Sequence, residues 1–224
     1  MKQIHVYQGK TPSDPVIYLN VFDGDGASVW EACRIRGDLS FTLVAVGGLH
    51  WDAELSPWQA DPVFRGDDFR GLADRYLEEL TQRIIPETEA GYGLTPVWRG
   101  IGGYSLAGLF ALYTVFKTDM FRGVVSASGS FWFPEFVDYL SQNTMKVQPQ
   151  AVYLSLGDKE SRVRNPVMAS VEENTRIIAG RLLAKGIRST LEINPGNHFR
   201  EPDLRTAKGI VWLLEQMQQQ QIQE

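Results

Sequence analysis

Cysteine is nearly absent: Cys33 stands alone in 224 residues. One sulfur allows no internal disulfide and no thiolate zinc site, so the fold does not rely on an oxidising compartment. Long apolar runs are missing too. No stretch approaches the roughly 20 apolar residues that a bilayer-spanning helix needs. The opening MKQIHVYQGK has no apolar core of the kind a secretory signal carries. The expectation is a soluble, cytoplasmic protein with no membrane partner. Positive charge is also in short supply, with 22 Lys and Arg against 27 Asp and Glu and a formal net charge of −5. That argues against a nucleic-acid partner, whose affinity would lean on clustered cations. Two motif candidates fail. DGDGAS at 23–28 begins like a calcium loop, but Ala27 and Arg34 occupy ligand positions. RGIGG at 99–103 is followed by no Gly-Lys-Ser/Thr. Neither a metal nor a cofactor is expected.

What is present is ordinary globular composition, 43% hydrophobic and 22% charged, in a length suited to a single domain over 1–224. Apolar runs at 15–22, 40–48, 95–105, 121–130, 150–158 and 189–198 predict buried strands, several of them closed by glycines. His5 falls on a further, edge strand near the start. Between the runs lie helical patterns. Residues 67–90 carry Leu72, Tyr76, Leu80 and Ile84 at a spacing of four, with Asp67 or Asp68 as a cap. The next helix spans 105–117. Residues 165–186 open on Asn165-Pro166 and close on Lys185-Gly186. Residues 203–217 place Leu204, Ala207, Ile210, Val211, Leu214 and Met217 on one face, and 218–224 reads as a frayed end. Strands alternating with amphipathic helices predict an α/β fold: a mainly parallel central sheet with helices on both faces and no separate lid domain. The long segment 49–66 has no clean period, as functional loops often do not.

The stretch RGIGGYSLAGLFALY at 99–113 sets a serine among small residues where a strand gives way to a helix. Gly103-Tyr104-Ser105-Leu106-Ala107 fits the nucleophile elbow, with Ala107 in place of the last glycine. At so sharp a turn the residues two places either side must be small, or strand and helix collide. In an open parallel sheet this is also the carboxyl end of a strand, where reactive groups gather. Of the three histidines, only His198 follows the serine and then an acid in chain order, in a loop after the last strand. After the strand at 150–158, Asp158 and Glu160 both offer a carboxylate. The spacing from Gly157 favours Glu160, and Asp158 stays open as the shorter, nearer alternative. An oxyanion would need two backbone N–H groups. Leu106, next to the serine, supplies one, and Asp25 in the loop after the strand at 15–22 the other. Trp51, Trp58, Phe131 and Trp132 lie on neighbouring loops, where they could stack on a flat substrate group.

These residues resemble the putative esterase family of the α/β-hydrolases. The likeness runs in serial order through DG at 23–24, SPW at 56–58, RIIPETEAGYG at 83–93, GGYSLAGLFAL at 102–112, FRGVVSASGSFWF at 121–133, LGDKE at 156–160 and GNHF at 196–199. It is most similar to the enterochelin-esterase branch. Ala107 departs from the commoner glycine, and the region before the first apolar run is short. The resemblance implies an α/β-hydrolase fold and a serine hydrolase that cleaves a small-molecule carboxylic ester, without naming the ester. A catalytically inactive binding protein of the same fold, and an acyltransferase using the same residues, are the competing expectations.

Overall fold

The computed structural model of the chain describes residues 1–37, 39–63 and 65–223, with side chains as far as 219. All six apolar runs form strands, and a seventh precedes them: β1 (Gln3–Tyr7), β2 (Val16–Asn20), β3 (Thr42–Gly47), β4 (Arg99–Tyr104), β5 (Gly123–Ala127), β6 (Ala151–Gly157) and β7 (Arg188–Asn194). They make one sheet in the order β1-β3-β2-β4-β5-β6-β7. Only the β1–β3 pairing is antiparallel, which puts His5 on an edge strand. Every residue of β2, β3, β5 and β6 is buried, which is why these strands read as unbroken apolar runs.

The helices are α1 (Ala27–Arg36), α2 (Trp51–Leu55), α3 (Ala73–Glu79), α4 (Ile85–Tyr92), α5 (Leu106–Thr114), α6 (Phe136–Gln142), α7 (Pro166–Ala169), α8 (Val171–Ala184) and α9 (Pro202–Gln223). Alternate side chains of β2 divide the core between two layers. Val16 and Tyr18 join α3, α5 and α6 on one face, while Ile17 and Leu19 join α1 and α9 on the other. Helix α5 is buried along its whole length. Cys33 lies under α9, its Sγ 3.8 Å from the Ala207 carbonyl, and burial pushes the thiol up to about 12. Among the described residues no helix is long and apolar enough to cross a membrane.

Several boundaries differ from expectation. The 67–90 helix starts only at Ala73, and no side chain caps it, so neither Asp67 nor Asp68 does. Its middle is a π turn over Leu80–Ile84. Pro86 follows that turn and offers no N–H to the ladder, a sequence-level cause for the irregular winding. Asn165 does cap, accepting from the Val167 and Met168 N–H groups. The period-free segment 49–66 contains α2. Helix α9 runs through the glutamines to Gln223 rather than fraying after Met217, while Glu224 lies outside the described residues. Leu204 is partly exposed, because the buried face of α9 begins at Arg205.

Gly209 sets how closely α9 approaches the sheet. A Cβ there would sit 2.5 Å from both Val125 Cγ1 and Tyr153 Cδ1. Gly209→Ala should therefore lower stability by about 1–3 kcal/mol through overpacking. Helix propensity alone favours alanine by about 1 kcal/mol, the opposite sign. Urea unfolding of the variant beside the wild type decides between the two.

Candidate active site

Ser105 occupies the single residue between β4 and α5, with φ 59° and ψ −125°. A non-glycine residue there costs on the order of 1–3 kcal/mol and persists only when its surroundings hold it. They do. The Ser105 N–H donates to the Ala127 carbonyl at 3.1 Å, and its own carbonyl accepts from Gly108, Leu109 and Ser130 at 3.0, 3.1 and 3.1 Å. The small neighbours make the turn possible. A Cβ on Gly103 would overlap Ala107 Cβ, and one on Gly108 would lie 2.9 Å from Ser126 Oγ. The Leu106 N–H, first in α5, has no hydrogen-bond partner among the described residues.

Two other strand ends bring partners to the serine. His198 Nε2 is 3.0 Å from Ser105 Oγ, and His198 Nδ1 is 2.7 Å from Glu160 Oε2. Glu160 is buried in the turn after β6. Its other oxygen, Oε1, accepts from Gly157 N–H at 2.6 Å, Ser128 Oγ at 2.7 Å and Arg205 Nη1 at 2.9 Å. Burial works to raise its pKa. The hydrogen bond and charge of His198, with Ser128 and Gly157 donating, outweigh that and hold the carboxyl below its ordinary value.

The structure separates the two acid candidates. Asp158 does not reach His198; its Oδ1 accepts the Gly196 N–H at 2.6 Å and so pins the start of the histidine loop. Its side chain is spent two residues before the imidazole, whereas the longer reach and later position of Glu160 bring it under the ring.

Four further residues complete the arrangement. Ser130 Oγ is 3.1 Å from Ser105 Oγ. Ser128, with φ 44°, sends its hydroxyl to Glu160. The Tyr104 hydroxyl donates to the His198 carbonyl at 2.7 Å. Arg205, buried on α9, donates to Tyr104 Oη at 3.1 Å, to Ser128 Oγ at 3.2 Å, and to the Pro195 and Asn197 carbonyls at 3.2 and 3.0 Å. Tyr104 lies inside the elbow and Ser128 and Ser130 inside FRGVVSASGSFWF, but those motifs assigned none of them a role. Ser128 and Ser130 sit just past the carboxyl end of β5, next to β4 in the sheet, and that adjacency is a further signal. An arginine within an apolar helical period carries none.

A cavity of about 470 Å³ opens over the serine. Phe22, Trp51, Tyr104, His198, Phe199 and Pro202 surround Ser105 in it, and Asp25 lines it as well. The Asp25 carboxylate accepts the Ala27 N–H at 2.9 Å, the first cause of its lowered pKa. Of the four aromatics expected at the site, only Trp51 lines the cavity. Phe131 is fully buried and stacked on Phe136. Trp58 packs against Phe133, Phe136 and Tyr139, its Nε1 donating to the Pro134 carbonyl. Trp132 meets Phe69 and Phe133. The segment after Ser130 turns down into the core, where its rings cluster with one another rather than facing the serine. Among the described residues no group of His, Cys, Asp or Glu could hold a metal ion.

Comparison with known proteins fits this geometry. The family described as "Putative esterase" matches residues 54–202. The uncharacterized protein YbbA of Bacillus subtilis (strain 168) is 30% identical over 137 residues, 59% of this chain and 55% of that protein, so the chain spans little more than half of this curated relative. Among solved structures, the siderophore hydrolase EstA from Aspergillus nidulans superposes with a TM-score of 0.74 at 21% identity, covering 96% of this chain and 90% of that one. An IroE-like serine hydrolase from Shewanella oneidensis gives 0.78 at 16%, covering 96% and 76%. The enterobactin esterase FES from Shigella flexneri gives 0.71 at 18%, covering 96% and 56%. These likenesses make the seven-stranded sheet an α/β-hydrolase fold. The matched segment spans well over half the chain and holds Ser105, Glu160 and His198, and by that match the chain belongs to the putative esterase family.

Proposed function

We propose that the protein is a serine hydrolase that cleaves carboxylic esters through an acyl-enzyme. The observation that carries the reading is the continuous hydrogen-bonded chain from Ser105 Oγ through the His198 ring to Glu160, mounted on a strained strand-to-helix turn. Ser105 Oγ attacks the ester carbonyl carbon while His198 Nε2 takes its proton. Nδ1–H stays bonded to Glu160, whose charge fixes the tautomer and stabilises the imidazolium. The tetrahedral oxygen accepts the free Leu106 N–H at the positive end of α5 and an N–H of the 22–26 loop, for which Asp25 is the candidate. Collapse expels the alkoxide, which takes the proton back from Nε2. Water then repeats the sequence on the acyl-enzyme.

Within this reading Arg205 is a positioning residue. Its guanidinium neutralises the oxygen of Glu160 that His198 does not use, and it ties down the loop that carries the imidazole. No cofactor enters these steps. The family membership and the siderophore hydrolases among the structural neighbours support a small-molecule ester as substrate.

Ser105→Ala should lower kcat on p-nitrophenyl esters by at least about 10⁴-fold with little change in unfolding midpoint. A fluorophosphonate should label the wild type at Ser105 and leave the variant unlabelled. Wild-type protein that neither turns over nor labels would be an inactive binding protein instead. Arg205→Met should cost about 3–5 kcal/mol of stability, because it strands a buried carboxylate. Adding Glu160→Gln should recover part of that loss, and denaturant titration of the four proteins of the cycle measures the coupling. The lowered pKa of Glu160 also predicts an acid limb. Its contribution to stability is complete above the ordinary value of 4.5 and is lost as pH falls from there through the lowered native value. As pH falls below 4.5 the wild type should therefore lose stability more steeply than Glu160→Gln, as followed by circular dichroism.

A further inference from the structure

We propose that the cleft above Ser105 selects esters that carry no negative charge and that present an aromatic or apolar acyl group. The inference rests on the hydrolase reading and adds the substrate class. Two independent features of the cleft support it.

The first is a pair of large rings left in solvent beside the serine. Phe22 is 75% exposed and Phe199 is 86% exposed, although both line the cavity. Phe22 stands edge-on to Trp51 with centroids 5.1 Å apart, and Phe199 stands edge-on to His198 at 5.5 Å. Neither ring is packed into the core. An apolar surface of this kind, flanking a reactive group, gains when a flat or apolar substrate group covers it.

The second is the sign of the charge. Asp23, Asp25 and Asp203 line the cavity, and among the described residues no Lys or Arg does. Among the described residues none of the three forms an ion pair with a cation. The nearby cations lie outside the cavity wall. Arg200 lies over Gly196, outside the residues that line the cavity, with an exposed contact of 3.7 Å to Glu201. Arg205 is buried behind the histidine loop on Glu160, and Lys208 is held by Glu192 and Asn194. The Asp25 carboxylate is taken by the Ala27 N–H and the Tyr7 hydroxyl, so a carboxylate at the far end of the bound acyl group would meet chiefly Asp23 and Asp203, in a cleft whose walls are partly apolar and which, among the described residues, no Lys or Arg lines.

Matched substrates test this. The 4-nitrophenyl esters of benzoic, 4-carboxybenzoic and 4-(trimethylammonio)benzoic acid carry zero, negative and positive charge at the far end of the ring; they also differ there in size, which the salt and Asp→Asn comparisons separate from charge. Each kcat/KM is divided by the same ester's rate with imidazole in solution, which removes the electronic effect of the substituent. At an ionic strength of about 10 mM the carboxybenzoate should fall about tenfold or more below the trimethylammonio ester. The gap should shrink several-fold in about 0.5 M salt, where the screening length drops to a few ångström, and also in Asp23→Asn/Asp203→Asn. Phe199→Ala should raise KM for the benzoate more than for 4-nitrophenyl acetate. Equal normalised rates for the three esters would sink the charge selectivity, as would a gap that neither salt nor the double variant moves. An equal effect of Phe199→Ala on benzoate and acetate would sink the aromatic part. Loss of turnover on every ester, with Ser105 unlabelled by a fluorophosphonate, would instead remove the hydrolase reading itself.

Discussion

Glu160 and Arg205 face each other at 2.9 Å with both side chains almost wholly excluded from water. Taking two charges out of water costs several kcal/mol each, and the mutual attraction offsets this only when the remaining lone pairs and protons are also satisfied. Here they are. Glu160 Oε1 collects Ser128 and Gly157 besides the guanidinium, and Arg205 spends its other contacts on Tyr104 and on the carbonyls of Pro195 and Asn197. The result divides the carboxylate by oxygen. One is saturated by structural donors, which leaves the other to the imidazole. The pair also connects three strand ends, since Ser128 follows β5, Glu160 follows β6 and the carbonyls that Arg205 holds follow β7.

A second constraint meets the first at Ser105. The serine has a backbone conformation that its side chain disfavours, and it is kept there by Ala127 at the end of β5 and Ser130 in the turn after it. The close approach of β4 to α5 at Gly103 leaves no room to relax, because any Cβ there would meet Ala107. The hydroxyl is held from the backbone side and the imidazole from the loop side. Their separation is thus set by the sheet as a whole rather than by either residue's own rotamer.

Much of this was legible in the sequence, for identifiable reasons. A parallel strand buried on both faces must be apolar throughout, so β2, β3, β5 and β6 announced themselves. Ser105 and His198 were legible because small neighbours and chain order are written locally. What escaped depends on contacts between distant segments. Helix α1 has a mixed surface with only Val29, Ala32 and Cys33 buried, so its period is faint. The choice between Asp158 and Glu160 turns on which carboxylate the histidine loop meets and which its backbone absorbs. Phe131, Trp58 and Trp132 could be placed on loops, but not given a direction, since an aromatic near a site and one beneath it look alike in one dimension. Arg205 was invisible: a charged residue on an otherwise amphipathic helix passes for a solvent-facing one.

Helix α9 has a consequence for the order of synthesis. The serine, the acid and the histidine are all encoded before Arg205, and the guanidinium that seats the histidine loop sits on the element that closes the α1 face of the sheet. A nascent chain can carry Ser105, Glu160 and His198 and still lack the guanidinium that seats the histidine loop. Under the hydrolase reading, the alignment of the three side chains would therefore wait on the docking of α9.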